Sequence, residues 1–307
     1  MQFAVYVPVG PSEHEIIRTA DLLHSVASYS AGMKWIILVD DSITDRNLSR
    51  RLSTPPEYEV IVLRNPRLGA GNGSMGGLFV ADLIALNHAQ LLADAAFVLK
   101  LDTDSLVIGA FLPRIGPVLE NRPDIGMMGV IGDSFGQNRT YQFSQRYQLI
   151  FEQLLVLPQS AELRALPCFR LLAQLGIHDL ETYAALRMAV QAAFDNGARL
   201  GEYCQGGAYL VSRRMVNAMS QSGYLGRPTI WQNVSIGEDV LMGLYCGALG
   251  LRMCDFSGNG QAFAVHPNCL PFSCEELVAL NRSIIHSIRG CAEGQFRAFF
   301  RNRRSRA

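Results

Sequence analysis

Four short apolar runs constrain the fold of this chain more than any other feature: FAVYVPV (3–9), KWIILVDDS (34–42), YEVIVL (58–63) and AFVLKLDTDS (96–105). They are rich in β-branched and aromatic residues, and long amphipathic or apolar stretches separate them, EIIRTADLLHSVASY (15–29) and LFVADLIALNHAQLLA (78–93). Ser12 and Glu15 stand at capping-box spacing ahead of the first stretch. Strand-length runs alternating with helices predict an α/β fold, a Rossmann-like, mostly parallel sheet covered by helices on both faces. In such a sheet, ligands sit beyond the carboxyl ends of the strands. Asp40, Asp41, Asp102 and Asp104 all fall there.

The rest of the chain narrows the class. Its 307 residues carry 27 acidic and 27 basic side chains, so no overall field recruits nucleic acid. Among the bases only Lys34 and Lys100 are lysines. Seven cysteines without a C-x-x-C pair suggest reduced, mostly buried thiols. The beginning, MQFAVYVPVG, lacks a signal-peptide pattern, and no apolar run approaches the roughly 20 residues of a membrane span. The expectation is a cytoplasmic protein. One catalytic domain is expected over 1–307, with a helical insertion at about 140–200 where the strand pattern stops, punctuated by Pro158, Pro167 and Gly176. The tail at about 297–307 holds five arginines and reads as a solvated end, or as a weak contact with an anionic membrane surface.

Two motifs carry the chemistry. GNGSMG (71–76) matches G-x-G-x-x-G, with Gly71, Asn72 and Gly73 as candidate nucleotide contacts. It follows the third strand rather than the first, and Asp102 lies 31 positions beyond Gly71 instead of about 20. A flexible loop, a loop approaching a nucleotide, and a true NAD(P) or FAD site of an oxidoreductase all stay open. Pro8 and Val9 at the first strand's end, and Arg64 at the third's, join the candidate ligand edge. The second motif is Asp102-Thr103-Asp104. Residues two apart in a strand share a face, so both carboxylates need a cation between them. Hard oxygens at a ligand edge suit Mn²⁺ or Mg²⁺ holding a diphosphate.

After LKLDTDS come EYCQGGAYLVSRR (202–214) and GEDVLMGLYCGALG (237–250). This order resembles the metal-dependent GT-A glycosyltransferases, nearest the Fringe and β-1,3-galactosyltransferase group. The resemblance implies a GT-A fold and transfer of a sugar, with inversion, from a nucleotide-diphosphate donor such as a UDP-sugar to a carbohydrate, peptide or small-molecule acceptor. It implies Asp104 on the metal, Asp102 assisting, Asp40 facing base or ribose, and Gly206 and Gly207 lining donor and acceptor. Asp239 matches the catalytic base, with Glu238 beside it. Lys100, Arg64 and Arg289 are candidate contacts to the diphosphate. A late metal-binding histidine is expected, His286 ahead of His266. The missing anchor, the absence of a paired-cysteine framework and the helical insertion depart from the Fringe pattern. A non-catalytic nucleotide-binding protein of the same fold is the other alternative.

Overall fold

The computed structural model describes every residue except 53, 55–56, 70–74, 133–138, 158–168, 291 and 307, and the backbone alone of 139–143 and 169. In chain order its elements are β1 (Gln2–Val9), α1 (Glu13–Tyr29), β2 (Met33–Asp40), α2 (Leu48–Arg51), β3 (Glu59–Arg64), α3 (Gly76–Ala89), β4 (Ala95–Leu101), β5 (Leu106–Val107), α4 (Leu112–Asn121), β6 (Ile125–Gly129) and α5 (Arg139–Leu155). There follow α6 (Phe169–Gln174), α7 (Leu180–Asp195), β7 (Ala208–Ser212), α8 (Arg213–Gln221), α9 (Glu238–Ala248), β8 (Arg252–Asp255), β9 (Phe263–Val265), α10 (Cys274–Ala279), β10 (Ile284–His286) and α11 (Glu293–Arg304).

The four apolar runs become β1 to β4, and they lie side by side. The main sheet has seven strands in the order β3-β2-β1-β4-β7-β6-β8. It is parallel throughout except for β7, which runs antiparallel to both neighbours. Alternation along β1 sends Phe3, Val5, Val7 and Val9 to one face, against Ile16, Leu22 and Val26 of α1. Ala4 and Tyr6 go to the other face, which packs on α3, α7 and α9. With both faces covered, these strands are apolar end to end, as a buried parallel sheet requires. A second sheet, β5-β10-β9, docks at the carboxyl edge and shares a small core with α10 and α11 through Leu277, Phe296 and Phe300.

Between 139 and 195 the described elements are α5, α6 and α7. Phe151, Tyr183, Leu186 and Val190 enter the same core as the sheet. These helices therefore share the sheet's core instead of forming one of their own.

Three expectations need correction. The arginine-rich tail is solvated only in part: it is mostly helix α11, which buries Phe296 and Phe300 and turns three of its arginines to one acid, while Arg303 and Arg306 stay exposed. Asp21 pairs with Arg297 at 2.9 Å, Arg304 at 2.7 Å and Arg301 at 3.5 Å. Burial alone would raise the Asp21 carboxyl, but these arginines hold it below its ordinary value. A charge count along the sequence cannot see a counter-charge 276 residues away. Cysteine spacing failed likewise. Cys269 is disulfide-bonded, while Cys204, Cys246, Cys254 and Cys274 are free. A bond set by tertiary contact escapes local spacing, and the thiol argument for a reducing compartment no longer stands. The capping box is half made: the Ser12 hydroxyl accepts from the Glu15 N–H, but the Glu15 carboxylate turns elsewhere. Among the described residues no helix is long and apolar enough to cross a membrane.

Candidate active site

Strand β4 sits in the middle of the sheet and ends in the acidic pair. The loop after it is tied down from three sides. The Asp102 N–H donates to the Gly207 carbonyl at 2.7 Å, and the Ile288 N–H to the Asp104 carbonyl at 3.2 Å. Arg297 of α11 donates to the Thr103 carbonyl at 2.9 Å. These fixed backbones aim the carboxylates. Asp104 Oδ2 accepts the Ser287 hydroxyl at 2.6 Å, and Asp102 Oδ1 faces Lys100 Nζ at 2.8 Å. The remaining oxygens both approach one ring nitrogen: His286 Nε2 lies 3.3 Å from Asp104 Oδ1 and 3.9 Å from Asp102 Oδ2.

A ring nitrogen between two carboxylate oxygens requires a proton or a cation there. One ligand atom from each of Asp102, Asp104 and His286 lies within 4.8 Å of the others. In an octahedral site with bonds of about 2.1 Å, neighbouring ligands stand about 3 Å apart and opposite ones about 4.2 Å. Two hard oxygens and an imidazole fit Mn²⁺ or Mg²⁺, with positions left for phosphate oxygens. For Asp104, burial raises the carboxyl, but His286, Ser287 and Arg289 outweigh it and hold it well below the usual carboxylate range. The group is an anion at any physiological pH.

Two adjoining clefts meet at this cluster and share Met75, Leu78, Asp102, Pro267, Asn268 and His286 as a common wall. The first, about 720 Å³, also exposes Pro8, Thr103, Asp104 and Arg289. Asp41, expected at this edge, lines it too, while sequence reasoning missed two of its charged residues, Glu15 and Arg67. Glu15 accepts from Arg289 at 3.1 Å, from Arg18 at 3.0 Å and from the Thr103 hydroxyl. The signal for it was its place in the first turn of the helix that follows the first strand, at the same edge as the D-x-D. Arg289 is 57% exposed, with its Nε 3.7 Å from Asp104 Oδ2.

The second cleft, about 530 Å³, is lined by Gly206, Gly207, Glu238 and Asp239, and also by Tyr147 and Tyr203. Tyr147 belongs to α5, so the helical stretch contributes directly to this space. Asp239 is at the start of α9, where Oδ2 accepts the Gly206 N–H and Oδ1 the Val240 N–H, both at 2.9 Å. Burial, and then the neighbouring Glu238 charge, raise the Asp239 carboxyl to about 8. The two glycines are there for space. At Gly207 the backbone φ is +93° and a Cβ would lie 2.2 Å from the His286 ring; at Gly206 a Cβ would lie 2.7 Å from Glu238.

Other candidates are elsewhere. Asp40 is turned inside, accepting the Ser42 N–H at 3.0 Å and hydroxyl at 2.9 Å and pairing with Arg46, because successive strand-end residues face opposite ways; Asp41 lines the cleft instead. Arg64 lies beside Asp45 and Asn47, donating to the Ser42 and Ile43 carbonyls, away from both clefts. Val9 is buried in the core. Lys100 is 1% exposed, behind Asp102, and lines neither cleft. His266 stands outside the metal-ligand cluster, its Nδ1 accepting the N–H groups of Asn268 and Cys269 at 3.2 and 3.0 Å. Gly71, Asn72 and Gly73 lie outside the described residues, as do Pro158 and Pro167.

His286→Ala is expected to weaken Mn²⁺ binding by at least about tenfold, a change of roughly 1.4 kcal/mol, and His266→Ala by less than about twofold. Calorimetric Mn²⁺ titration of the two variants measures this. The opposite ranking moves the ligand to His266.

No protein-family model matches the sequence, and no curated protein matches it. Among solved structures, the chain is similar to WbbM, a bifunctional glycosyltransferase, at 12% identity and a TM-score of 0.48 over 93% of this chain. It spans only 45% of the WbbM chain. The galactosyltransferase LgtC, solved with donor and acceptor sugar analogues, gives 11% identity and a TM-score of 0.48 over 98% of this chain and 96% of its own. Residues 1–349 of S. aureus TarS, solved with UDP-GlcNAc, give 15% and 0.43 over 99% and 72%. Likenesses this distant assign neither substrate nor mechanism, so function has to follow from the clefts.

Proposed function

We propose that the chain is a metal-dependent glycosyltransferase that moves a sugar from a nucleotide-diphosphate donor, UDP-sugar first, to an acceptor hydroxyl with inversion. The observation that carries this is the convergence of Asp102 Oδ2, Asp104 Oδ1 and His286 Nε2 at the junction of two clefts, one with Arg289 at its rim and one holding Asp239. A divalent ion held there supplies electrostatic relief of the negative charge that grows on a leaving diphosphate. Arg289, exposed at the rim of the first cleft, pairs with a phosphate oxygen; Thr103 and Pro8 line the same cleft. Asp239 faces the second cleft and takes the proton of the acceptor hydroxyl from the side opposite the diphosphate. Gly206 and Gly207 keep the passage between the clefts open. Tyr147 and Tyr203 offer apolar rings to the acceptor, while Gln205 and Asn268 offer polar groups. The whole chain acts as one catalytic unit in this reading, because the helices of 139–195 wall the acceptor side.

An oxidoreductase reading fits less well. With its pyrophosphate at GNGSMG, it leaves the converging Asp102, Asp104 and His286 without a role.

The test is a thermal-shift panel of UDP-, GDP-, dTDP- and CMP-sugars with and without Mn²⁺, with NAD⁺, NADP⁺ and FAD as comparators. A ligand bound only by the native state at 100 times its Kd stabilises by about 2.7 kcal/mol. The expected result is a Mn²⁺-dependent shift with UDP-sugars. A shift with NAD(P) or FAD alone, unaffected by metal, overturns the proposal.

A further inference from the structure

Lys100 was expected to reach the diphosphate, and it does not. It lies at the last-but-one position of β4, two residues before Asp102, so both side chains leave the strand on the same face. Its ammonium is fully buried over the Tyr209 ring, 5.2 Å from the centroid. It stands between two carboxylates, 2.8 Å from Asp102 Oδ1 and 3.4 Å from Glu238 Oε1. A third, Asp82, is buried nearby and hydrogen-bonded by the Tyr209 hydroxyl at 2.7 Å. Burial pulls the lysine down, yet Asp102, Glu238 and Asp82 together hold it above its ordinary value.

Lysine itself is informative here. The chain uses arginine at all but two of its 27 basic positions, and one exception is this buried one. A guanidinium brings five donors in a rigid plane, each needing a partner when buried. An ammonium acts as a point charge and fits between two single oxygens.

We propose that Lys100 is a positioning residue for the metal site: it holds Asp102 Oδ1 inward, so that Oδ2 alone is offered beside His286 and Asp104, and it ties this carboxylate to Glu238 at the head of the helix that carries Asp239. The donor and acceptor halves of the site are thereby braced through one buried cation. This rests on the function proposed above.

Removing the lysine alone leaves the buried Asp82 and Glu238 and the partly buried Asp102 without their cation, which threatens the fold. The decisive variant therefore removes a cation and an anion together. Lys100→Met/Glu238→Gln keeps the net buried charge, and Glu238→Gln alone is its control. Thermal midpoints report folding, and calorimetry reports Mn²⁺-dependent UDP affinity. Glu238→Gln removes one end of the brace and sets the baseline for both measurements. The double variant is expected to melt within a few degrees of that control, yet to bind about 10–100-fold more weakly, the usual loss when a group orienting a metal ligand is removed. A charge-balancing role alone predicts restored binding along with the restored fold, and that result overturns the inference. Absence of Mn²⁺-dependent UDP binding in the wild-type protein removes the proposed function and this inference together; binding in the wild type with an unimpaired double variant removes the inference alone.

Discussion

Asp104→Ala is expected to abolish the Mn²⁺-dependent stabilisation by UDP and, at the same time, to lower the stability of the ligand-free protein by about 1–3 kcal/mol. The first effect follows from losing one of the three ligand groups. The second runs against what the sequence suggests, since relieving a like-charge pair should stabilise. In the folded chain, however, Asp104 is not facing an unscreened neighbour. Its oxygens meet the Ser287 hydroxyl, the His286 ring and, farther off, Arg289. Alanine takes this acceptor from the buried Ser287 hydroxyl and His286 ring. The pH dependence has a definite sign. The folded protein holds the Asp104 carboxyl below its unfolded value of about 3.9, so its contribution is complete at neutral pH. It disappears as the pH falls below the ordinary carboxylate range. Urea midpoints of wild type and variant should therefore differ at pH 7, and the difference should begin to narrow only once the pH falls below about 4. Equal midpoints at pH 7 refute the stabilising role, and retained Mn²⁺-dependent UDP binding refutes the ligand assignment.

How much of this was legible in the sequence depends on range. Strands β1 to β4 and the helices between them could be read because apolar runs and capping residues act over a few positions. The convergence of the D-x-D with "GEDV" could be expected because both stand next to strand or helix ends at one sheet edge. What escaped was everything decided by a partner far along the chain. Glu15 looked like half of a capping box, and it serves Arg289 and Thr103. Asp40 and Asp41 are adjacent, and only the strand's final register says which one faces the cleft. Lys100 reads as a phosphate contact until its neighbours show that β4 carries it inward. Tyr147 sits in a helical stretch that sequence reasoning set apart from the site, and the packing of that stretch on the sheet's own core brings it into the same cleft as Asp239.

Asp239→Asn is expected to cost roughly 10²–10⁴ in kcat with donor affinity within about twofold of wild type, because a base acting on the acceptor contributes to the chemical step and little to donor binding. The geometry adds a complication that the substitution must be controlled for. Both Asp239 oxygens accept backbone N–H groups, from Gly206 and Val240. An asparagine has a single acceptor oxygen, so one of these N–H groups faces an NH₂. A loss of about 1–3 kcal/mol in stability is expected from that alone, and a urea midpoint measures it separately from turnover. The pH profile then distinguishes a lost base from a disturbed loop. With its carboxyl raised to about 8 by burial and by Glu238, Asp239 is protonated, and idle as a base, at the acid end of the neutral range. Wild-type kcat should climb with pH and level off above about 8. The residual rate of the asparagine variant should lack that limb, since no group titrates in its place. A variant that keeps wild-type kcat, or that shows the same limb at reduced amplitude, removes Asp239 from the role of base and leaves it as a brace for the Gly206–Gly207 turn.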